Sequence, residues 1–271
     1  MGIIESFTDT DGQDIRERFA RDGFVVLPGE NPEGLAAIRA VAADVARRET
    51  DIDPGLSDDQ ILNHVHKHVG IAELNGLRLA TIQALRSKDW FRPTYFSLAR
   101  QAIFEIVGNE LAMQRSVGLS VQLPQDTSSL LPIHSDVWDG DSAFEAVLWV
   151  PLVSCFETKS MYLFAMERDR ERQKEVAAHQ RSGPEALYES IKDDAVFVNV
   201  PYGSVLLFSQ TLMHGNRVNE KDETRWSMNC RFKSLMSPYA DKRLGEFFEP
   251  IVTRPATRIG LEYKMPEGFV E

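Results

Sequence analysis

Two histidines and one aspartate are the residues of this chain whose types and spacing can do chemistry. His134 and Asp136 stand two apart in the run LPIHSDVWDGD, and His214 follows in SQTLMHGNRVN, 78 residues beyond Asp136. Two imidazoles and a carboxylate form a facial triad: they grip one side of an octahedral ion and leave adjacent positions open for reactants. Residues two apart on a strand point the same way, so a strand through 134–136 would offer both side chains to one ion. His214 follows the apolar run Ser204 to Phe208 and is expected near a strand end. By itself, His-x-Asp with a remote His is a short pattern that chance produces often.

A second device sharpens it. Arg225 comes eleven residues after His214, and Ser227 two residues later. The segment HGNRVNEKDET reads as a polar hairpin loop, after which a strand would carry Arg225 and Ser227 on one face. A guanidinium fork with a hydroxyl beside it is a good receptor for a carboxylate, because it can bond both oxygens. The bland reading of Arg225 is a surface ion pair with Asp222 or Glu223.

These residues need elements to position them. Gln13 to Arg21 has the apolar spacing of a short helix, ended by Gly23, and Phe24 to Leu27 reads as a strand. Pro32 to Glu49 reads as a second helix with Asn31 as its N-cap. More helix is expected from Asp59 to Asn109, broken near Asp89 and Pro93. The character then changes. Gly118 to Leu123, Phe144 to Val153, Ser160 to Met166, Ala195 to Val200, Ser204 to Phe208 and Trp226 to Leu235 read as strands of a sandwich or barrel. The charged stretch 167–192 interrupts them as a helical insertion, a candidate lid or surface helix. No Pro/Gly/Ser linker appears. The expectation is therefore one α+β domain over 1–271: mainly helical support to 115, a β core over 116–240, and an extension over 241–271.

Composition bounds the function. The 271 residues carry a net charge of −11, which argues against a general nucleic-acid binder. Two cysteines, Cys155 and Cys230, make no disulfide framework or metal pair. The opening MGIIESFTDTDGQDIRERF has no secretory pattern, and no apolar run is long enough to span a membrane. A cytoplasmic protein is expected.

With these residues in this order, the chain resembles the Fe(II)- and 2-oxoglutarate-dependent oxygenases of the phytanoyl-CoA dioxygenase-like superfamily. The resemblance is carried by His134-x-Asp136, His214, Arg225-x-Ser227, the Gly203-Ser204 turn and the opening RDGFVVLPG (Arg21 to Gly29). It covers most of the chain. Within that superfamily the runs GNELAMQRSVGLSVQLP, SSLLPIHSDVWDGDS and ETKSMYLF look like those of bacterial members from sugar and surface-polysaccharide gene clusters. The resemblance implies a double-stranded β-helix, the cupin-like jelly roll, with N-terminal helices packed outside. It implies His134, Asp136 and His214 as iron ligands, and Arg225 and Ser227 as partners of the 2-oxoglutarate C5 carboxylate. It implies oxidation of a small metabolite with O2, coupled to decarboxylation to succinate and CO2. Asp136 stands where related halogenases carry a small residue, which favours hydroxylation.

Other pocket candidates follow from their positions. Gln122, on a predicted strand, is expected to contact cosubstrate or substrate. Trp138 and Asp139 are placed at the mouth. Lys159, Ser160, Asn216 and Arg231 are candidate substrate contacts, and inward-facing Lys159 and Arg231 would favour an anionic or sugar-like metabolite. His64, His66 and His68 would share a face only on a strand; their region reads as helix or loop, so a zinc site is disfavoured. Trp149, Phe144 and Phe208 read as core. Two competing functions are a jelly-roll sugar-binding or isomerase-like protein with a structural or absent metal, and a zinc hydrolase. The first has no need of Arg225-x-Ser227; the second lacks an evident general base. Phe247, Phe248, Tyr263 and Phe269 are expected to cover the barrel or a partner chain.

Overall fold

The structure, a computed structural model, describes residues 12–179 and 181–268. Phe269 and the opening residues 1–11 lie outside the described residues.

Helix α1 (Gln13–Asp22) stops at Gly23, whose φ of 78° is left-handed and whose amide bonds Phe19 O. Strand β1 (Phe24–Pro28) follows. Helix α2 (Pro32–Glu49) begins as its sequence predicts: Pro32 opens it and the Asn31 side chain accepts from the Gly34 amide at 2.8 Å. Next come α3 (Asp58–His64), α4 (Ile71–Arg86), α5 (Phe91–Ser97) and α6 (Arg100–Val107). Ser57 and Gln60 form a reciprocal capping box at the start of α3. The break expected near Asp89 and Pro93 falls at residues 87–90, between α4 and α5; Pro93 itself sits in the first turn of α5, where a missing amide is harmless.

The β core follows as β2 (Leu111–Gln114), β3 (Gly118–Gln122), β4 (Glu145–Pro151) and β5 (Met161–Leu163). The insertion folds as α7 (Met166–Arg172), α8 (Val176–His179) and α9 (Gly183–Ile191). The core resumes with β6 (Val196–Phe197), β7 (Ser204–Ser209), β8 (His214–Asn216), β9 (Arg225–Ser234) and β10 (Phe248–Val252), and α10 (Pro255–Glu262) ends the described chain.

Two antiparallel sheets form the jelly roll. The larger runs β1-β7-β4-β9-β2-β10, and the smaller runs β6-β5-β8. Strand β9 organises the large sheet. One edge pairs with β4; the other pairs first with β3, over Arg225–Asn229, and then with β2, over Phe232–Ser234. Its alternation separates two environments. Trp226, Met228, Cys230 and Phe232 are buried on the outer face, in one continuous apolar cluster with α2 to α6. The helices are also tied on by polar bonds, Tyr95 Oη to Leu148 O at 2.8 Å and Trp226 Nε1 to Leu62 O at 2.9 Å. Arg225, Ser227, Asn229 and Arg231 take the opposite face, toward the small sheet.

Several expectations change here. The segment after His214 is not a hairpin. His214–Asn216 is a strand of the small sheet, and residues 217–224 carry the chain across to β9 in the large one. His134 and Asp136 do not share a strand: His134 makes an isolated bridge to His214, and Asp136 opens a single 3-10 turn, Asp136–Asp139. The strand expected over 160–166 ends at Leu163, because Met166 starts α7. Phe144 is not core; it is 58 % exposed at the lip of the barrel. Cys155 and Cys230 are free and buried. Among the described residues no helix is long and apolar enough to cross a membrane.

Candidate active site

The backbone bridge brings the first two ligands together. His134 N bonds His214 O at 3.0 Å, and His214 N bonds His134 O at 2.8 Å. Each imidazole is then fixed through Nδ1 by a local carbonyl: Pro132 O at 2.8 Å for His134 and Leu212 O at 2.9 Å for His214. With Nδ1 donating, each Nε2 keeps a free lone pair, the state a metal requires. Both point at Asp136, whose Oδ1 lies 3.7 Å from His134 Nε2 and whose Oδ2 lies 3.8 Å from His214 Nε2. The ligand atoms of the three residues all lie within 4.8 Å of one another. Burial pushes the His214 imidazole down to about 4, so it is neutral, and a lone-pair donor, across the ordinary pH range.

Asp136 is aimed by Arg231, whose Nη2 donates to Oδ1 at 3.0 Å. Arg231 Nε lies 3.2 Å from Asp141, and Asp141 also pairs with Lys242. A chain of alternating charges thus runs from the triad into the segment after β9.

Two cavities meet at the triad. The larger, about 470 Å³, is lined by His134, Asp136 and His214 with Val147, Phe208 and Asp139. The smaller, about 120 Å³, is lined by Arg225, Ser227, Ser120, Trp149, Met161 and His214. They share Leu131, Phe208, His214 and Asn229.

The smaller cavity holds a charge with no ion-pair partner in contact among the described residues. Arg225 is 4 % exposed; Nη2 donates only to Ser120 Oγ at 3.2 Å, and Nε is buried without a partner. The acids expected as its surface partners are elsewhere: Glu223 binds Lys159 and Asp222 binds His66. Burial, with Arg78 nearby, lowers the guanidinium to about 10, which still leaves it charged at neutral pH. A buried cation with no ion-pair partner in contact is costly, and an anion entering this cavity would offset that cost.

The remaining candidates divide. Asp139 lines the larger cavity. Asn216 borders the smaller one, but its amide is used to hold the 129–131 segment, donating to Ser129 O at 3.1 Å and accepting from Leu131 N. Gln122 is fully buried, donating to Arg217 O at 2.8 Å and accepting from Asn216, and borders neither cavity. Lys159 is 0 % exposed and donates to Asn63 at 2.7 Å and Glu223 at 2.5 Å, so it ties the 217–224 crossing to α3. Ser160 is buried beside it and also lines neither cavity. Trp138 turns away, to a groove with Gln173, Val176 and Ala177 on the insertion. The three histidines of 64–68 do not converge: His66 bonds Thr224 at 3.0 Å, and His68 bonds Asp51 at 2.7 Å. Asp141 and Asn229 were missed. For Asn229 the signal was present, since it continues the alternation of 225 and 227.

The fold and the site together define a double-stranded β-helix with a metal-capable His-x-Asp…His cluster beside a buried arginine that lines a small cavity. No family model matches the chain, and no curated protein matches it. Solved structures do. A non-heme monooxygenase described as the ThoJ-Ni complex matches with a TM-score of 0.55 at 17 % identity, over 89 % of this chain and 84 % of that one. HygX from Streptomyces hygroscopicus, with nickel and 2-oxoglutarate bound, matches with a TM-score of 0.55 at 15 % identity, over 88 % and 90 % of the two chains. At these identities the likeness establishes a shared fold.

Proposed function

We propose that this chain is an iron(II)- and 2-oxoglutarate-dependent oxygenase that oxidises, by hydroxylation, a C–H bond of a small molecule. One observation carries the reading: a buried guanidinium without an ion-pair partner lies in a cavity that reaches His214, one of three side chains grouped so that they could hold a metal ion. The donor set suits the ion, since two imidazoles and a carboxylate are the iron(II) triad of oxygenases. Arg225 and Ser227 suit the cosubstrate, whose distal carboxylate would supply the missing counterion. The nickel and 2-oxoglutarate held by HygX support the same reading.

When bound, iron(II), 2-oxoglutarate and O2 supply C–H oxidation coupled to release of succinate and CO2. The chain's own residues do the rest. His134, Asp136 and His214 hold the ion on one side. Arg231 fixes the rotation of the Asp136 carboxylate. Arg225 and Ser227 set the depth of the cosubstrate. Val147, Phe208 and Ile133 give the larger cavity apolar walls that limit water near the metal. The substrate would enter there, past Asp139. Lys159 lies outside this space and Arg231 is engaged by Asp136, so the two cations that favoured an anionic substrate do not form a basic pocket.

The test is anaerobic addition of 2-oxoglutarate to the Fe(II)-loaded protein. A weak visible charge-transfer band that saturates at one equivalent is expected, with no band in Asp136→Ala. Absence of the band in the native chain at millimolar 2-oxoglutarate would refute the proposal.

A further inference from the structure

The inner face of β9 carries one polar side chain that is both unbonded within the protein and open to the two cavities at the site. Arg225, Ser227, Asn229 and Arg231 alternate along it. Arg231 is engaged by Asp136 and Asp141. Asn229 makes no side-chain hydrogen bond among the described residues, yet it lies in mid-sheet, opposite Gly118 of β3 on one side and Trp149 of β4 on the other. It is nevertheless exposed. With strands on both flanks, that exposure is to the cavities, and Asn229 borders both of them.

Gly118 leaves it that freedom. A Cβ at Gly118 would come within 2.5 Å of Asn229 Oδ1. Glycine inside a strand weakens it and often marks a close approach. Here the close approach is by the Asn229 amide.

We propose that Asn229 binds the carboxylate next to the ketone of 2-oxoglutarate, while Arg225 and Ser227 hold the distal one. This rests on the proposed function. The spacing fits: two residues along a strand cover roughly 6.6 Å, comparable to an extended five-carbon diacid. The position fits, since Asn229 lies between the anion receptor and Arg231, the residue bonded to Asp136. The chemistry fits too. An amide offers two donors and no charge, so it can hold a metal-bound carboxylate without competing for it as a second guanidinium would.

The test compares native protein, Asn229→Ala, Gly118→Ala and Arg225→Ala, each anaerobic and loaded with Fe(II). Two quantities are read: the Kd for 2-oxoglutarate and the position of the charge-transfer band. Asn229→Ala should raise Kd about tenfold, the loss of one hydrogen bond to a charged group, and shift the band, because the chelating end is perturbed. Its iron affinity without 2-oxoglutarate and its thermal midpoint should stay native, since the side chain makes no hydrogen bond within the protein. Gly118→Ala should move Kd the same way by crowding the amide. Arg225→Ala should raise Kd and leave the band in place. If the native chain binds 2-oxoglutarate and Asn229→Ala binds it equally well with an unshifted band, this assignment fails and the proposed function stands. If the native chain binds none, both fail.

Discussion

Arg225 carries opposite consequences for stability and for binding. Without an anion its buried charge has one hydrogen bond and one orphaned nitrogen. Arg225→Met should therefore leave the ligand-free protein as stable as native or more so, since apolar replacement of buried charge is often neutral or stabilising. The same change should weaken 2-oxoglutarate binding by about 2–5 kcal/mol, the cost typical of truncating one partner of a buried charge pair. Urea unfolding and an anaerobic titration read the two sides. Arg231 acts through another residue: Arg231→Met should lower metal affinity by about 10–100-fold, the usual effect of removing a ligand's outer partner, while 2-oxoglutarate still finds Arg225. The meeting of His134, Asp136 and His214, with Arg225 and Ser227 lining a cavity beside His214, was legible in the sequence because few side-chain types can share one ion or face an anion. The fate of Lys159 was not. Its partners Asn63 and Glu223 are remote in sequence, and nothing local announces that they meet it.

At the scale of elements, the helical insertion is tied directly to the metal site. Asp169 of α7 is 1 % exposed, and its Oδ1 accepts from the Met213 amide at 2.7 Å, one residue before His214. Asp169→Ala would leave that amide buried without a partner. It should cost about 1–3 kcal/mol of stability and loosen the metal as well, both readable by urea unfolding and metal titration. The charged composition of 167–175 predicted a solvated face, and most of it is one; a single buried carboxylate within such a run has no periodic signature. The hairpin expected after His214 failed for a related reason. A polar stretch between two apolar strands looks the same whether it turns back within one sheet or crosses to the other. Strands β2 and β10 were missed because both are short and pair at one end of the sheet. Strands β4 and β7 were readable as near-continuous apolar runs, EAVLWVP and SVLLFS, and β9 by the apolar residues Trp226, Met228, Cys230 and Phe232 that alternate along it.

At the scale of the molecule, two equilibria report on the architecture. Glu145 is buried in the barrel, where burial and nearby Asp141 push its carboxyl up to about 7. Its folded value lies above the ordinary 4.5, so the native state keeps a proton that the unfolded chain releases. Its contribution to stability therefore falls as pH rises from about 4.5 to about 7. Gln210, which donates to Glu145 at 3.1 Å, has a side-chain oxygen with no partner; a protonated Glu145 can supply it once the amide is turned over. Glu145→Gln keeps the shape and removes the titration. In urea unfolding at pH 5 and pH 8, the variant should gain on the native protein at the higher pH. The second equilibrium is ligand linkage. Metal at 100 times its Kd should add about 2.7 kcal/mol and raise Tm by about 5–10 °C for a chain of this length. His214→Ala should show no such rise.

The most direct measurement is anomalous diffraction from crystals grown without oxygen in Mn(II) and 2-oxoglutarate. The expected result is one manganese peak, about 2.1 Å from Nε2 of His134 and of His214 and from an Asp136 oxygen, with the distal carboxylate of 2-oxoglutarate on Arg225. A metal bound away from those three atoms, or a 2-oxoglutarate whose carboxylates leave Arg225 unpaired, would contradict it.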